Sequence, residues 1–456
     1  MRTFALVLLA SLPLAAQTDS GLERKISDKI NATLRESRAS SASVVLVLDG
    51  KVAFAKAFGN ANLDPLRPAT TETRYAVGSI SKQFTAASVL LLQEQGKLSL
   101  DDKVAKYFPD LTRANEVSIR QLLSHTSGYE DYAPEDYIIP AWTEPIAPRA
   151  ILDRWAKKPL NFDPGTKWQY SNTNYVLAGQ IVEKVAGEGL LPFLRRHIFD
   201  PLGMQSAGDC FETPGANDAA AYTRFAGGPP RPVKREAAGW YFAAGELCMT
   251  PSDLAKWDMA WLREEILSAK SYEEFIREAR LANGDHTGYA LGLSVGEFHR
   301  LPSISHSGEV SGFISANSIY PTRRAAIVVL TNEDGVNLIG PISTAIATAA
   351  LLPEEPAQSK QADAQAKGIL AGLRQGKLDR ALFTSNANSY FTDVALRDIE
   401  ASLKPAGKLK SFTRTGETLR GGMTHRNYRA EFEKKTFTMN IYVMPDGKYE
   451  QFMVEQ

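Results

Sequence analysis

The chain has 456 residues, with 52 Lys+Arg set against 52 Asp+Glu. A formal net charge of zero leaves no bulk field to draw it to nucleic acid or to an acidic membrane, so neither is an expected partner. Hydrophobic residues at 44% and charged residues at 23% are the proportions of a globular protein with core enough for two or three domains.

The N-terminal residues 1–16 carry one positive charge, an apolar run from Phe4 to Leu14 and then small residues. This is the layout of a secretory signal peptide, too short to span a bilayer, with cleavage expected near Ala15 or Ala16. A secreted or periplasmic protein without an integral membrane anchor is therefore expected. Export makes Cys210 and Cys248 candidates for a disulfide; the alternative is a pair of reduced, half-buried thiols. Gly21 to Glu36 reads as a helix. Two β-rich runs follow in SASVVLVLDGKVAFAKAFG, joined by Asp49-Gly50, a strong hairpin signal. The middle of the chain is mainly helical, and two more strand-like runs, SISHSGEVSGFISANSIY and AAIVVLTN, flank Pro321-Thr322-Arg323-Arg324. Strands at both ends with helices between them predict an α+β fold: one antiparallel sheet closed by the two ends, with a helical insert. Residues 351–361 have the Pro, Glu, Gln and Ala content of a linker. Beyond it, Ala366, Ile369, Leu370 and Leu373 have helical spacing, and the tail is a hairpin turning at Pro445-Asp446-Gly447. Residues 362–456 are thus expected to form a small α+β domain.

Ser79 stands three residues before Lys82, at the start of an apolar-periodic stretch in which Ile80, Phe84, Ala87, Leu90 and Leu91 share a helix face and Gly96 suits the C-cap. Side chains three apart lie about 5–6 Å from each other. A Lys desolvated at that position can lose its proton and take one from the hydroxyl. The plain alternative is that Ser79 caps the helix and Lys82 is solvated. This is the one S-x-x-K of the chain. The one Y-x-N is Tyr170-Ser171-Asn172, where a phenol could shuttle a proton and an amide could hold a carbonyl and the Lys; otherwise it is a loop whose Ser and Asn cap a helix. His306-Ser307-Gly308 begins a β-rich run against which a substrate could lie. A second H-x-G, His286-Thr287-Gly288, follows the turn signature Asn283-Gly284-Asp285 and is the poorer candidate.

Ser79-x-x-Lys82, Tyr170-x-Asn172 and His306-x-Gly308, in that order, resemble the motifs of serine hydrolases related to class C β-lactamases and D-Ala-D-Ala carboxypeptidases. The stretches LLSHTSGY (from Leu122), FDPGTKWQYSN, IFDPLGM (from Ile198) and TPSDLAKW (from Thr250) are also similar, so the resemblance covers residues 22–350. It implies a β-lactamase-like fold and acyl transfer without cofactor or metal. Ser79 would attack a carbonyl, Lys82 and Tyr170 would move the proton, and Asn172, His306 and Gly308 would line the substrate site. The N–H groups of Ser79 and Glu309 would form the oxyanion hole. The implied substrates are small esters, peptide-like amides or β-lactams, with cell-wall peptide among the candidates. No G-x-S-x-G surrounds Ser79, which speaks against an α/β-hydrolase plan.

Two departures stand out. His306 occupies the place of a motif Lys, and a mostly neutral side chain there favours ester or amide hydrolysis over strong β-lactamase activity. In AAGELCMT, Glu246 either narrows the pocket or is exposed. His125 is expected to support the fold near the cleft rather than act in catalysis. The stretch from Tyr129 to Pro145 is either a lining of the substrate entrance or a packed surface loop. His425 reads as an exposed strand residue. The C-terminal helices and strand meander resemble the cone-shaped domains related to nuclear transport factor 2. The rival to an enzyme is a penicillin-recognising sensor that acylates without turnover.

Overall fold

The structure, a computed structural model, describes residues 20–135, 137–209, 211, 215–352 and 357–455. Residues 1–16, read above as a signal peptide, and Cys210 lie outside the described residues. The chain divides into two compact units, Met1–Leu352 and Pro353–Gln456.

The first unit is built on a seven-stranded antiparallel sheet. Its strands are β1 (Ser41–Leu48), β2 (Lys51–Leu63), β3 (Leu66–Pro68), β4 (Ser294–Phe298), β5 (Leu301–Val310), β6 (Phe313–Tyr320) and β7 (Ala325–Thr331), in spatial order β3-β2-β1-β7-β6-β5-β4. Strands from near the two ends of this unit meet at the centre, where Val44 faces Val329 and Leu46 faces Ile327. Asp49 and Gly50 both take positive φ, 50° and 72°, as a tight two-residue hairpin demands. The stretch read as one run before Pro321 is two strands, because Ser311 and Gly312 turn the chain between Val310 and Phe313. The edge strand β4 completes the sheet.

Strands β1 and β7 are nearly continuous apolar runs because both faces are covered. On one face Val44, Leu46, Ile327 and Val329 pack with α1 (Ser20–Ser37) and α5 (Ile339–Leu351) through Ile26, Ile30, Ile342 and Ile346. On the other, Val45, Val47, Val328 and Leu330 join the larger core with α2 (Ser81–Glu94), α3 (Asn172–Ala186) and α4 (Pro251–Arg263). The one-faced amphipathic pattern expected for α2 is superseded: every residue from Ser81 to Leu90 is buried, whereas Leu91 is only partly so. The helix runs through the middle of the unit, with Phe84 wedged against Trp257 and Phe199 at ring-centroid distances of 4.7 and 5.5 Å.

The second unit has its own core. Helix α6 (Ala357–Leu373) begins inside the stretch read as linker, and with α7 (Asp393–Leu403) it belongs to the unit that carries a four-stranded antiparallel meander. The strands are β8 (Leu409–Arg420), β9 (Met423–Phe432), β10 (Thr436–Val443) and β11 (Tyr449–Glu455). Ala366, Ile369, Leu370 and Leu373 are buried with Phe391, Phe437, Met439, Ile441 and Phe452. His425 is half-buried rather than exposed: its ring stacks on Tyr442 at 4.4 Å and hydrogen-bonds Asn440 at 3.1 Å.

Candidate active site

Ser79 lies in a 3₁₀ turn, Gly78–Ile80, immediately before α2. Neither the turn nor the helix has a side-chain cap, so the capping role is not what Ser79 performs. Its Oγ instead accepts a hydrogen bond from Lys82 Nζ at 2.9 Å. The same ammonium donates to Asn172 Oδ1 and to the carbonyl of Ala244, each at 2.8 Å. Lys82 has no solvent exposure, and burial brings its pKa down to about 7, against a smaller opposing pull from Asp131. It is therefore poised between donor and base near neutral pH.

The Tyr170 phenol is raised well above the usual range by burial, with a smaller opposing effect from the neighbouring Ser79 side chain. Its ring lies 4.9 Å from Lys82 Nζ and 6.3 Å from the ring of His306. Asn172 opens α3, and the cap is supplied from elsewhere: Asp131 Oδ1 accepts the Asn172 N–H at 2.9 Å, while Asn172 Nδ2 reaches Asp131 Oδ2 at 3.4 Å. Ser171 turns its hydroxyl to the Glu130 carbonyl. The Oδ1 of Asn172 is thus left to Lys82.

The third motif comes from β5. Its strand alternation turns His306 and Gly308 inward and leaves Ser307 and Glu309 outward. A Cβ on Gly308 would sit 1.9 Å from the Val77 carbonyl oxygen, so only glycine lets the turn carrying Ser79 lie against this strand. Gly78, at φ +52°, also packs against the strand, its Cβ position being 2.8 Å from the Glu309 nitrogen. Ser315 Oγ pins the turn by donating to the Val77 carbonyl at 2.8 Å. The turn carrying Ser79 is thereby held against the backbone of Gly308 and Glu309.

His306 is fixed at both nitrogens. Nδ1 contacts the Ser307 carbonyl, an acceptor only, so Nδ1 carries the proton and Nε2 accepts from the Tyr289 hydroxyl at 2.8 Å. Burial, followed by the charge of Lys82, brings its pKa down to about 4. The imidazole is therefore neutral near pH 7. Tyr289 comes from the stretch that carried the rejected H-x-G; His286 itself is exposed and paired with Glu278.

His125 is wholly buried beneath the site, 4.2 Å from the Tyr170 ring and 4.9 Å from that of Tyr289, with Nδ1 accepting the Ser171 N–H at 3.2 Å. It supports Tyr170 and does not face the cleft. The segment from Tyr129 to Pro145 does both things proposed for it: Tyr129, Tyr132 and Trp142 are buried, while Asp131, Glu135 and Tyr137 line the opening. Glu246 is neither exposed nor in the cleft; it is buried, and it borders a separate depression beside Pro145 and Gly239.

Ser79, Tyr170, Asn172, His306 and Glu309 all line one cleft of about 680 Å³. A serine in contact with a buried lysine of lowered pKa, with a phenol and an amide side chain in the same cleft, is an arrangement with which nucleophilic acyl transfer can be carried out. The Beta-lactamase family model matches residues 26–347, and the chain belongs to this family of serine hydrolases. Among its relatives, Penicillin-binding protein 4* of Bacillus subtilis (strain 168) is 28% identical over 343 residues, covering 68% of this chain and 72% of that protein. The D-amino acid amidase of Ochrobactrum anthropi SV3, solved with L-phenylalanine amide, superposes with a TM-score of 0.63 at 25% identity over 72% of this chain and 98% of its own. An octameric penicillin-binding protein homologue from Pyrococcus abyssi shares the fold with a TM-score of 0.64 at 21% identity, over 96% of this chain and all of its own.

Proposed function

We propose that the protein is an exported serine hydrolase that cleaves ester or peptide-like amide bonds through an acyl-enzyme on Ser79. The observation that carries this reading is the contact of Lys82 Nζ with Ser79 Oγ in a site that lowers the lysine pKa to about 7. In the neutral form Lys82 accepts the Ser79 proton as Oγ bonds to the substrate carbonyl carbon. The carbonyl oxygen takes up negative charge between the amides of Ser79 and Glu309. Tyr170, beside Ser79 in the cleft, relays a proton to the departing amine or alcohol as the bond to carbon breaks. Water then adds to the acyl carbon, giving its proton to Lys82 and Tyr170, and the acid leaves with Ser79 restored. Asn172 keeps Lys82 aimed at Ser79, and Asp131 in turn keeps Asn172 in place. Export rests on the leader of residues 1–16.

The test is intact mass after reaction with a fluorophosphonate, for wild type and Ser79→Ala, with p-nitrophenyl acetate turnover in parallel. One adduct on the wild type, none on the variant and a matching loss of turnover are expected. Labelling or turnover that survives in Ser79→Ala overturns the mechanism. An adduct that forms with substrate but never releases the enzyme would make it a sensor instead.

A further inference from the structure

The cleft around Ser79 is one-sided in charge. Asp131, Glu135, Glu236, Glu309 and Asp334 line it, and no Lys or Arg does so among the described residues. Lys82 lies beneath it, bonded on three sides. Arg235 sets its guanidinium over the rings of Phe211 and Phe313, 4.2 and 5.3 Å from their centroids, and is not part of the lining.

The carboxylates of Asp131, Glu236 and Asp334 are held by neutral donors. Asp334 accepts the Gly312 N–H at 2.7 Å. Glu236, only 4% exposed, has Oε1 taken by the Tyr241 hydroxyl at 2.8 Å and by the Ser311 hydroxyl and N–H at 2.6 and 3.2 Å. Its Oε2 is buried and has no hydrogen-bond partner among the described residues. A buried carboxylate oxygen left in this state is destabilising until a donor reaches it. Tyr132 and Tyr241 report the same negative field: after burial, the charges of Asp131 and Glu236 on the first, and of Glu236 on the second, hold the phenols up. The faces of Trp168 and Tyr137, 39% and 69% exposed, stand at the mouth. Aromatic faces beside carboxylates attract an ammonium and repel a carboxylate. His306, neutral and committed at both nitrogens, supplies no counter-charge for an anion.

We propose that the cleft selects a substrate bearing a protonated amine, with Glu236 receiving the ammonium and Asp131 and Asp334 supporting it. The proposal rests on the reading of Ser79 as nucleophile. It assigns amines as substrates and disfavours acids carrying a free carboxylate near the scissile bond.

Three alanine p-nitroanilides test it, in both enantiomers and with one leaving group: the free amine, the N-acetyl and the N-succinyl derivative. For the full chain kcat/KM is expected to fall at least tenfold from amine to acetyl, and again to succinyl. The amine value should drop with added salt while the acetyl value stays flat. In Glu236→Gln, which keeps the side-chain shape, the amine-to-acetyl ratio should fall at least tenfold. Acetyl equal to or better than amine in the wild type, or no salt response, overturns the cation site. Fluorophosphonate labelling of Ser79 in the same preparations separates the causes. Labelled enzyme without amine preference refutes the cation site alone, and unlabelled, inactive enzyme refutes the hydrolase reading beneath it.

Discussion

In the proposed reaction, Lys82 is the residue on which the chemistry turns. In the ammonium form its three hydrogen bonds, to Ser79, Asn172 and Ala244, are all made, and removing a proton frees a lone pair toward Ser79. Because the neutral form is the base in that reaction, kcat/KM for a neutral ester is expected to rise with pH through an inflection near 7 and level off above it. No second inflection near 6.5 is expected from His306, whose pKa near 4 keeps it neutral there. Lys82→Arg places a permanent cation at the site and should lower kcat/KM by about 10²-fold or more, with the inflection gone. A pH–rate series on both proteins checks this. An inflection retained in Lys82→Arg would assign it to another group.

At the scale of elements, the site exists because a turn and a strand approach each other closely. Gly308→Ala puts a methyl where the Val77 carbonyl already is, so the turn carrying Ser79 must move away from β5. A displacement of about 1 Å at a reacting atom costs on the order of 10²-fold in rate. Gly308→Ala should therefore lose that much kcat while leaving circular dichroism unchanged. Behind the site, Asp258 of α4 joins α4 to β6 and α2: its Oδ1 accepts from Asn317 Nδ2 at 2.8 Å, Asn317 Oδ1 from Gln83 at 2.8 Å, and Gln83 from Trp257 at 2.9 Å. Its Oδ2 lacks a hydrogen-bond partner among the described residues, and burial raises the pKa from 3.8 to about 7. A carboxyl raised on folding contributes stability at pH values below its unfolded pKa, and that contribution is lost as pH climbs to the folded one. Asp258→Asn has nothing to titrate. Its unfolding temperature should rise relative to wild type between pH 4 and 7, reflecting on the order of 2–4 kcal/mol, and the difference should hold constant above. Thermal melts at pH 4, 6 and 8 measure it.

For the whole molecule, charge and stability are distributed unit by unit. The formal net charge of zero conceals a cleft lined by five acidic residues, so the field at the cleft is set locally and not by the protein's overall charge. The C-terminal unit has a core of its own, centred on rings such as Phe391 and Phe452 that are essentially wholly buried. Residues 357–455 produced alone should melt cooperatively. Phe391→Ala, removing about 3–5 kcal/mol, should take away most of that stability. A melt of the isolated unit without a transition would show that its core is insufficient by itself.

The parts of this protein legible from sequence are those whose physics is local. The Asp49-Gly50 turn, the runs that become β1 and β7, and Ser79 beside Lys82 all follow from spacing, dihedral preference and residue type within a few positions. The motifs around Tyr170 and His306 were legible as patterns, although nothing local says that they share a cleft. Merging β5 with β6 was the error that a lone Gly in a polar turn invites. Asp131, Tyr289 and Glu236 were not legible as site residues. Asp131 holds Asn172 from 41 positions away, Tyr289 holds His306 from 17, and Glu236 meets Ser311 across 75. The burial that lowers the Lys82 pKa and the field of the acidic cleft likewise arise where distant segments exclude water together. Local order is written in dihedrals and periodicity; desolvation and partner choice are decided only when the chain has closed on itself.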